Sequence, residues 1–317
     1  MKYICLPRRA TAAALTAAAL VTLSACGGDD TAAGMPADTE VAGVDIEKDP
    51  ELYDTLPDTV KKSGTVRVAT DVPYPPFEMF VKEGESELTG LDYDLGQALG
   101  ARLGVEFVFT PQKFDGIVPA IQAGKFDAAM SAMTDNKERQ KVVDFVDYSV
   151  SGSGIMVPRG NPEKITTLDD LCGKKVGVQA ATNQLDLLKS HQGACEKAGR
   201  DEIAIQTFPK DSDAQLALRA KKVAAQVLTK PAAGWTAKTA DGGKAFEVVD
   251  DPAATGGYNA SPNGIAVSKK LPGLTDAVQK ALQSLIDDGT AAKIFEKYGV
   301  ASIAVQEATR NAAVDQR

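Results

Sequence analysis

The sequence predicts a two-lobed α/β protein, and three observations carry that expectation. Short apolar strands alternate with helical segments from about residue 65 to 145, and the alternation then starts again between about 171 and 249. Two short stretches rich in small residues, SVSGSG (149–154) and GGYNASPN (256–263), lie where a chain would cross between lobes and read as hinge segments; two ordinary surface loops are the alternative. One stretch, 114–148, holds a compact helix–strand–loop–helix unit with an oddly placed arginine.

In the first lobe, TVRVAT (65–70) alternates as a strand, and DVPYPPFE (71–78) follows as a loop whose three prolines forbid a helix. Leu91, Leu95, Leu99 and Leu103 recur every four residues on one helical face, which Gly104 ends, and VEFVF (105–109) is the next strand. Ile117, Val118 and Ile121 mark another helix, closed by Gly124. Phe126, Ala128 and Met130 alternate as a strand, and Ser131 to Thr134 form the loop at its end. Asp135 and Glu138 have capping-box spacing, so a helix is expected there with Arg139 in its first turn. A cation at that place opposes the helix dipole, but free N–H groups and a guanidinium fork together suit a carboxylate. A solvated surface arginine among Lys137, Glu138, Gln140 and Lys141 is the alternative.

The second lobe reads as strand 176–179, helix 182–197, strand 203–208, a helix capped by Asp211 or Ser212, strand 223–228, a helix holding Trp235 and strand 246–249. GIAVS (264–268) and helices at about 274–287 and 291–298 finish the core.

The chain has 317 residues, 44% hydrophobic and 25% charged, an ordinary globular composition. Its formal charge is −8, and more negative still without Lys2, Arg8 and Arg9, which argues against nucleic acid as a partner. Residues 1–25 read as a secretion signal: a basic start, then an Ala/Leu/Val run short for a membrane span. Leu23-Ser24-Ala25-Cys26 resembles a lipoprotein lipobox, which implies cleavage before Cys26 and a lipid on it. A plain signal peptide or an uncleaved anchor helix are the alternatives. Residues 26–60 read as a flexible tether and 306–317 as a disordered tail. Outside the cytoplasm Cys172 and Cys195 are expected to pair, with two free thiols or a metal pair as alternatives. His191, the only histidine, is expected to be exposed on a second-lobe helix, so no metal site is expected.

TDVPYPPFE (70–78), GLDYDLGQALGARLG (90–104), FDGIVPAIQAGKFDAAMS (114–131), ERQKVVDF (138–145), LCGKKVGVQ (171–179) and DGTAAKIFEKYGV (288–300) together resemble the family 3 extracellular solute-binding proteins, the polar amino acid receptors of bacterial ABC importers. The resemblance spans roughly 61–303; the Ala-rich composition and the cysteine pair are similar to the actinobacterial lipoprotein branch. It implies a type II periplasmic-binding-protein fold, each lobe a mostly parallel sheet with flanking helices, with a two-stranded hinge. First-lobe residues 61–153 and 260–305 would then flank a second lobe of 154–259.

By that resemblance Arg139 pairs with a ligand carboxylate, Thr134 offers its hydroxyl and N–H, and Ser131 and Met133 line the same loop. Tyr74 and Phe114 form aromatic walls, unless they are plain core; Asp71 touches the distal end of the ligand, unless it caps the next turn. Ala181 and Thr182 match a Thr-Thr pair that reaches the carboxylate, so Ala181 has lost a hydroxyl. The family's ammonium-binding aspartate falls at Thr229, in KKVAAQVLTK (221–230), and is absent. A ligand other than a standard α-amino acid is therefore expected: a derivative, or a carboxylate without a free amine. The resemblance further implies a monomer, tethered by its lipid to the outer face of the membrane, with a permease as partner and no cofactor. Two alternatives stand beside this receptor: an enzyme similar to cyclohexadienyl dehydratase, with Asp71 or Glu78 as the acid, and a sensor or adaptor lipoprotein.

Overall fold

The computed structural model describes residues 38–82 and 84–313. The signal segment, Cys26 and the first part of the expected tether lie outside the described residues.

Each lobe is built on the same strand order. In the first, Thr65–Thr70 is flanked by two parallel strands, Glu106–Pro111 and Ala128–Ala129. Tyr258–Ser268 then runs antiparallel to Ala128–Ala129, Val143–Pro158 pairs antiparallel to it, and Ala304–Arg310 closes the edge. In the second, Lys175–Gln179 is flanked by parallel Ala204–Phe208 and Ala225–Thr229. Ala225–Thr229 pairs antiparallel with the far half of Val143–Pro158, and Phe246–Val248 follows.

The two glycine- and serine-rich stretches are therefore not surface loops. They are the middle of Val143–Pro158 and the start of Tyr258–Ser268, paired as Ser261 with Ser151, Pro262 with Val150 and Asn263 with Ser149. The ladder shifts register between Tyr258 and Ser261 and again between Asn263 and Gly264, which loosens it where it bends. The strands cross most closely where Gly152 meets Gly257: a Cβ on either would run into the other's backbone, and Gly257 holds φ +92°. Side-chain alternation puts Val150, 43% exposed, on the outer face, while Ser149 and Ser151 turn inward to the amide Nδ2 of Asn263.

Helix Leu91–Leu103 forms as its leucine spacing predicts; Leu91, Leu95, Leu99 and Leu103 are all buried, each burial contributing roughly 2 kcal/mol. It packs on Leu274–Asp287 and Thr290–Lys297 to fill the first lobe. The second-lobe core gathers Ile155, Val157, Val176, Val178, Leu188 and Val227.

Two expectations at the ends of the chain are corrected. The part of the expected tether from residue 38 to 60 is folded: Asp38–Val41 and Val44–Glu47 form a hairpin, Asp49 caps helix Pro50–Asp54, and Val41, Ile46, Leu56 and Val60 enter the first-lobe core. Their apolar residues are too sparse to show a period, so the composition misleads. The expected tail is a paired strand up to Arg310, with Ala308 buried, Arg310 bridging Asp144 and Asp276, and the Asn311 side chain accepting from the Phe145 N–H. Residues 314–317 lie outside the described residues.

Candidate functional site

The carboxyl ends of the parallel strands of both lobes point into one crevice, where ligands of open α/β sheets bind. Asp71, Tyr74, Glu78, Phe114, Ser131, Ala132, Thr134 and Arg139 from the first lobe line it, with Gln179, Thr182, Asn183, Gln184 and Thr229 from the second.

Arg139 lies in the short helix Lys137–Gln140, and the cap is one residue later than expected. Asn136, in extended conformation, accepts the Arg139 N–H at 2.8 Å. Asp135 is instead pinned below the pocket: its backbone N–H donates to Pro262 and its carboxylate accepts from Gln140. Glu138 pairs with Lys141 in solvent. The guanidinium donates to the carbonyls of Thr134 at 2.6 Å and Ala181 at 2.9 Å and lies 5.3 Å from the centre of the Phe114 ring. Among the described residues no carboxylate forms an ion pair with it. Burial pushes its pKa down to about 10, against the pull of Asp186 and Asp135, so it stays charged.

At the other end the pocket is acidic. Glu78 is 2% exposed; its Oε1 accepts from Ser131 Oγ at 2.7 Å, and its buried Oε2 has no partner among the described residues. Ser131 Oγ also accepts the Asp71 N–H. Burial, then the neighbouring Asp92 and Asp71, holds the Glu78 carboxyl well above its ordinary range. Burial also raises Asp71, although Gln179 donates to its Oδ2 at 2.6 Å across the cleft. Behind them Asp92 accepts from the Ala132 N–H and the Tyr148 hydroxyl, and burial lifts it to about 7. Asp211, beside Asp71, is likewise lifted to about 7 by burial.

Thr229 meets the Tyr74 hydroxyl through both its own hydroxyl and its N–H. Thr182 caps the helix Asn183–Lys197, its oxygen accepting from Leu185 and donating to the Gln179 carbonyl, so this helix starts at the pocket wall.

Of the residues singled out in the sequence, Asp71, Tyr74, Phe114, Ser131, Thr134, Arg139, Thr182 and Thr229 share this pocket. Met133 does not line it: its side chain packs into the cluster of Ile117, Ile121 and Phe126. Ala181 does not line it either. It holds φ +61°, a position that favours glycine, and offers only its carbonyl to Arg139. The pair facing the pocket is therefore Thr182 and Asn183, one residue on. Sequence reasoning missed Gln179, Asn183, Gln184 and Ala132. The rule that strand carboxyl ends face the crevice would have found Gln179, which ends Lys175–Gln179.

Two α/β lobes joined by a two-stranded connector, with polar groups from both converging on one crevice, define a two-lobed solute receptor. The chain matches the bacterial extracellular solute-binding proteins, family 3, over residues 66–301. It is 30% identical to the arginine-binding protein ArgT of Corynebacterium glutamicum over 98% of each chain. It is 31% identical to the L-cystine-binding protein TcyJ of Escherichia coli over 84% of this chain and 93% of that protein. The crystal structure of the ancestral amino acid-binding protein AncCDT-1, a precursor of cyclohexadienyl dehydratase, superposes with a TM-score of 0.66 at 36% identity, covering 76% of this chain and 98% of that one. The protein belongs to the bacterial extracellular solute-binding proteins, family 3.

No helix among the described residues is long and apolar enough to cross a membrane.

Proposed function

We propose that this receptor captures an amino acid, or an amino acid derivative, with a carboxylate at one end and a cationic group at the other, and delivers it to the permease of an ABC importer. One observation carries the reading: Arg139 and the buried carboxyls of Asp71 and Glu78 line the same pocket without an ion pair between them, and Glu78 Oε2 has no partner among the described residues. Arg139, with the Thr134 hydroxyl and the start of the helix Asn183–Lys197, seats the carboxylate. The cation takes the open side of Glu78, because an unpaired buried carboxylate is costly and an ammonium or guanidinium relieves it. Arginine and cystine recognition by ArgT and TcyJ fits a solute of this size and polarity.

With no acid at Thr229, the α-nitrogen contributes little. Titration calorimetry with L-arginine, 5-guanidinopentanoate (arginine without its α-amine) and agmatine (arginine without its carboxylate) tests this. Agmatine should fail to bind, and 5-guanidinopentanoate should bind within about tenfold of arginine, a gap under about 1.4 kcal/mol. Agmatine binding as well as arginine would sink the role of Arg139.

Cys26 anchors the protein by its lipid to the outer face of the membrane, and the protein works as a monomer without catalysis. Glu78 and Asp71, both held above their ordinary range by burial, are also the groups in the pocket suited to act as a general acid, and AncCDT-1 precedes an enzyme. Incubation with prephenate or arogenate separates the readings; the receptor returns the substrate unchanged.

A further inference from the structure

Four residues from two neighbouring segments, a turn and a helix, converge at one point in the second lobe, in addition to the cleft. Asp169 lies in the short 3₁₀ turn Leu168–Leu171, and Cys172 follows it directly. His191 and Cys195 lie four residues apart on helix Asn183–Lys197, hence on one face. Turn and helix pack together, so ligand atoms of Cys172, His191 and Cys195 all lie within 4.8 Å of one another. Asp169 Oδ1 stands 2.8 Å from His191 Nε2. That nitrogen is buried, and the approach is close without the alignment of a hydrogen bond. The His191 side chain is 15% exposed, against the expectation from sequence, and it is the only histidine in the chain. Cys172 and Cys195 are joined as a disulfide.

The order Asp-x-x-Cys, then His-x-x-x-Cys, has the two-plus-two spacing of structural zinc sites. We propose that these residues form a redox-exchanged metal site: once the disulfide is opened, Cys172, Cys195, His191 and Asp169 hold a tetrahedral divalent cation of the zinc class. The reductant is a dithiol. It supplies two electrons and two protons, the Cys172–Cys195 bond becomes two thiols, and the dithiol closes into its own disulfide. Metal entry then displaces the two thiol protons to solvent, leaving thiolate ligands. A tetrahedral ion with bonds of about 2.3 Å to sulfur and 2.0–2.2 Å to nitrogen and oxygen holds its ligands roughly 3.3–3.8 Å apart. The sulfurs must part to that distance, and Asp169 must ease back slightly from His191. Cys195 is fully buried among the apolar Leu171, Val176 and Leu188, Cys172 and His191 are half-buried, and Asp169 is 60% exposed, so the site has one apolar wall and opens to solvent on the Asp169 side. Either state clasps the turn to the helix, by a covalent bond or by the ion.

The test uses the full chain, reduced with a phosphine, handled without oxygen and titrated with Co²⁺. The expected result is a thiolate-to-cobalt charge-transfer band with tetrahedral ligand-field bands, saturating at one equivalent and displaced by Zn²⁺; the disulfide form shows neither. Cys195→Ser and His191→Ala should lose this spectrum, and Asp169→Asn should weaken binding about tenfold. A reduced wild-type chain without a saturating tetrahedral spectrum overturns the proposal, as does a His191→Ala chain that binds like wild type. If His191→Ala does not fold, thermal unfolding of the wild type decides. Zn²⁺ should raise the melting temperature of the reduced chain alone, and an equal or absent shift in both forms refutes the site.

Discussion

Tyr74 and Thr229 meet across the cleft twice: the phenol oxygen lies 2.9 Å from Thr229 Oγ1 and accepts the Thr229 N–H at 2.9 Å. A neutral latch thus occupies the place where the family resemblance expects an anion, and it joins the lobes directly.

Replacing it with charge should change what is recognised. In Thr229→Asp the new carboxylate can accept from the Tyr74 hydroxyl and face an α-ammonium. Calorimetry should show affinity for α-amino acids rising about tenfold, or about 1.4 kcal/mol. An unchanged affinity would place the α-nitrogen elsewhere.

Arg139 makes a sharper test, because one guanidinium serves both lobes through Thr134 and Ala181 and also faces the pocket. Arg139→Ala should cost about 2–5 kcal/mol of binding. Arg139→Lys should recover only part of it, since an ammonium is a point charge without the planar fork. Full recovery by lysine would show that charge alone is read.

Asp92 gives the fold a pH dependence of definite sign. Its pKa rises from an ordinary 3.8 to about 7 on folding, because burial disfavours its charged form. Between those values the folded state holds more protons than the unfolded one, so stability falls as pH rises through the window. The contribution is fully present below the lower value and lost above the upper. Asp92→Asn, which keeps an acceptor for Ala132 and a group for Tyr148, should flatten the decline in melting temperature across that window, a slope of at most about 1.4 kcal/mol per pH unit. A slope that survives in the variant would assign it to another buried acid such as Asp211, itself lifted to about 7.

The disulfide closes a loop between residues 23 apart in sequence. Its loss in the Cys172→Ser, Cys195→Ser double variant should lower unfolding stability by about 3 kcal/mol, seen as a lower urea midpoint with the cleft still binding. Loss of binding in a folded double variant would tie the clasp to the pocket.

Elements with strong periodicity were legible in the sequence. The strand Thr65–Thr70 and the helices Leu91–Leu103 and Leu274–Asp287 stand where spacing placed them. What escaped depends on distant partners. The first half of Tyr258–Ser268, residues 258–263, looks like a loop until Val143–Pro158 is beside it, and most of Ala304–Arg310 looks like a tail until the same strand pairs with it. The site divided in the same way. Arg139 announced itself by opposing a helix dipole, whereas Met133 pointed to the core because alternation along a loop does not fix a face. Ala181 was misplaced by one residue because a left-handed backbone position leaves no mark in an alanine.

The two lobes also differ in how the chain supplies them. The second draws its parallel strands and helices from one continuous stretch, with only short closures to make. The first is assembled from separated pieces: Tyr258–Ser268 fits between Ala128–Ala129 and Val143–Pro158, and Ala304–Arg310 covers the outside. Followed from its amino end, the chain therefore supplies every strand of the second lobe before Tyr258–Ser268 joins the two parts of the first-lobe sheet. The sheet behind the wall bearing Arg139 and Glu78 is thus completed only by residues that follow the whole of the second lobe in sequence.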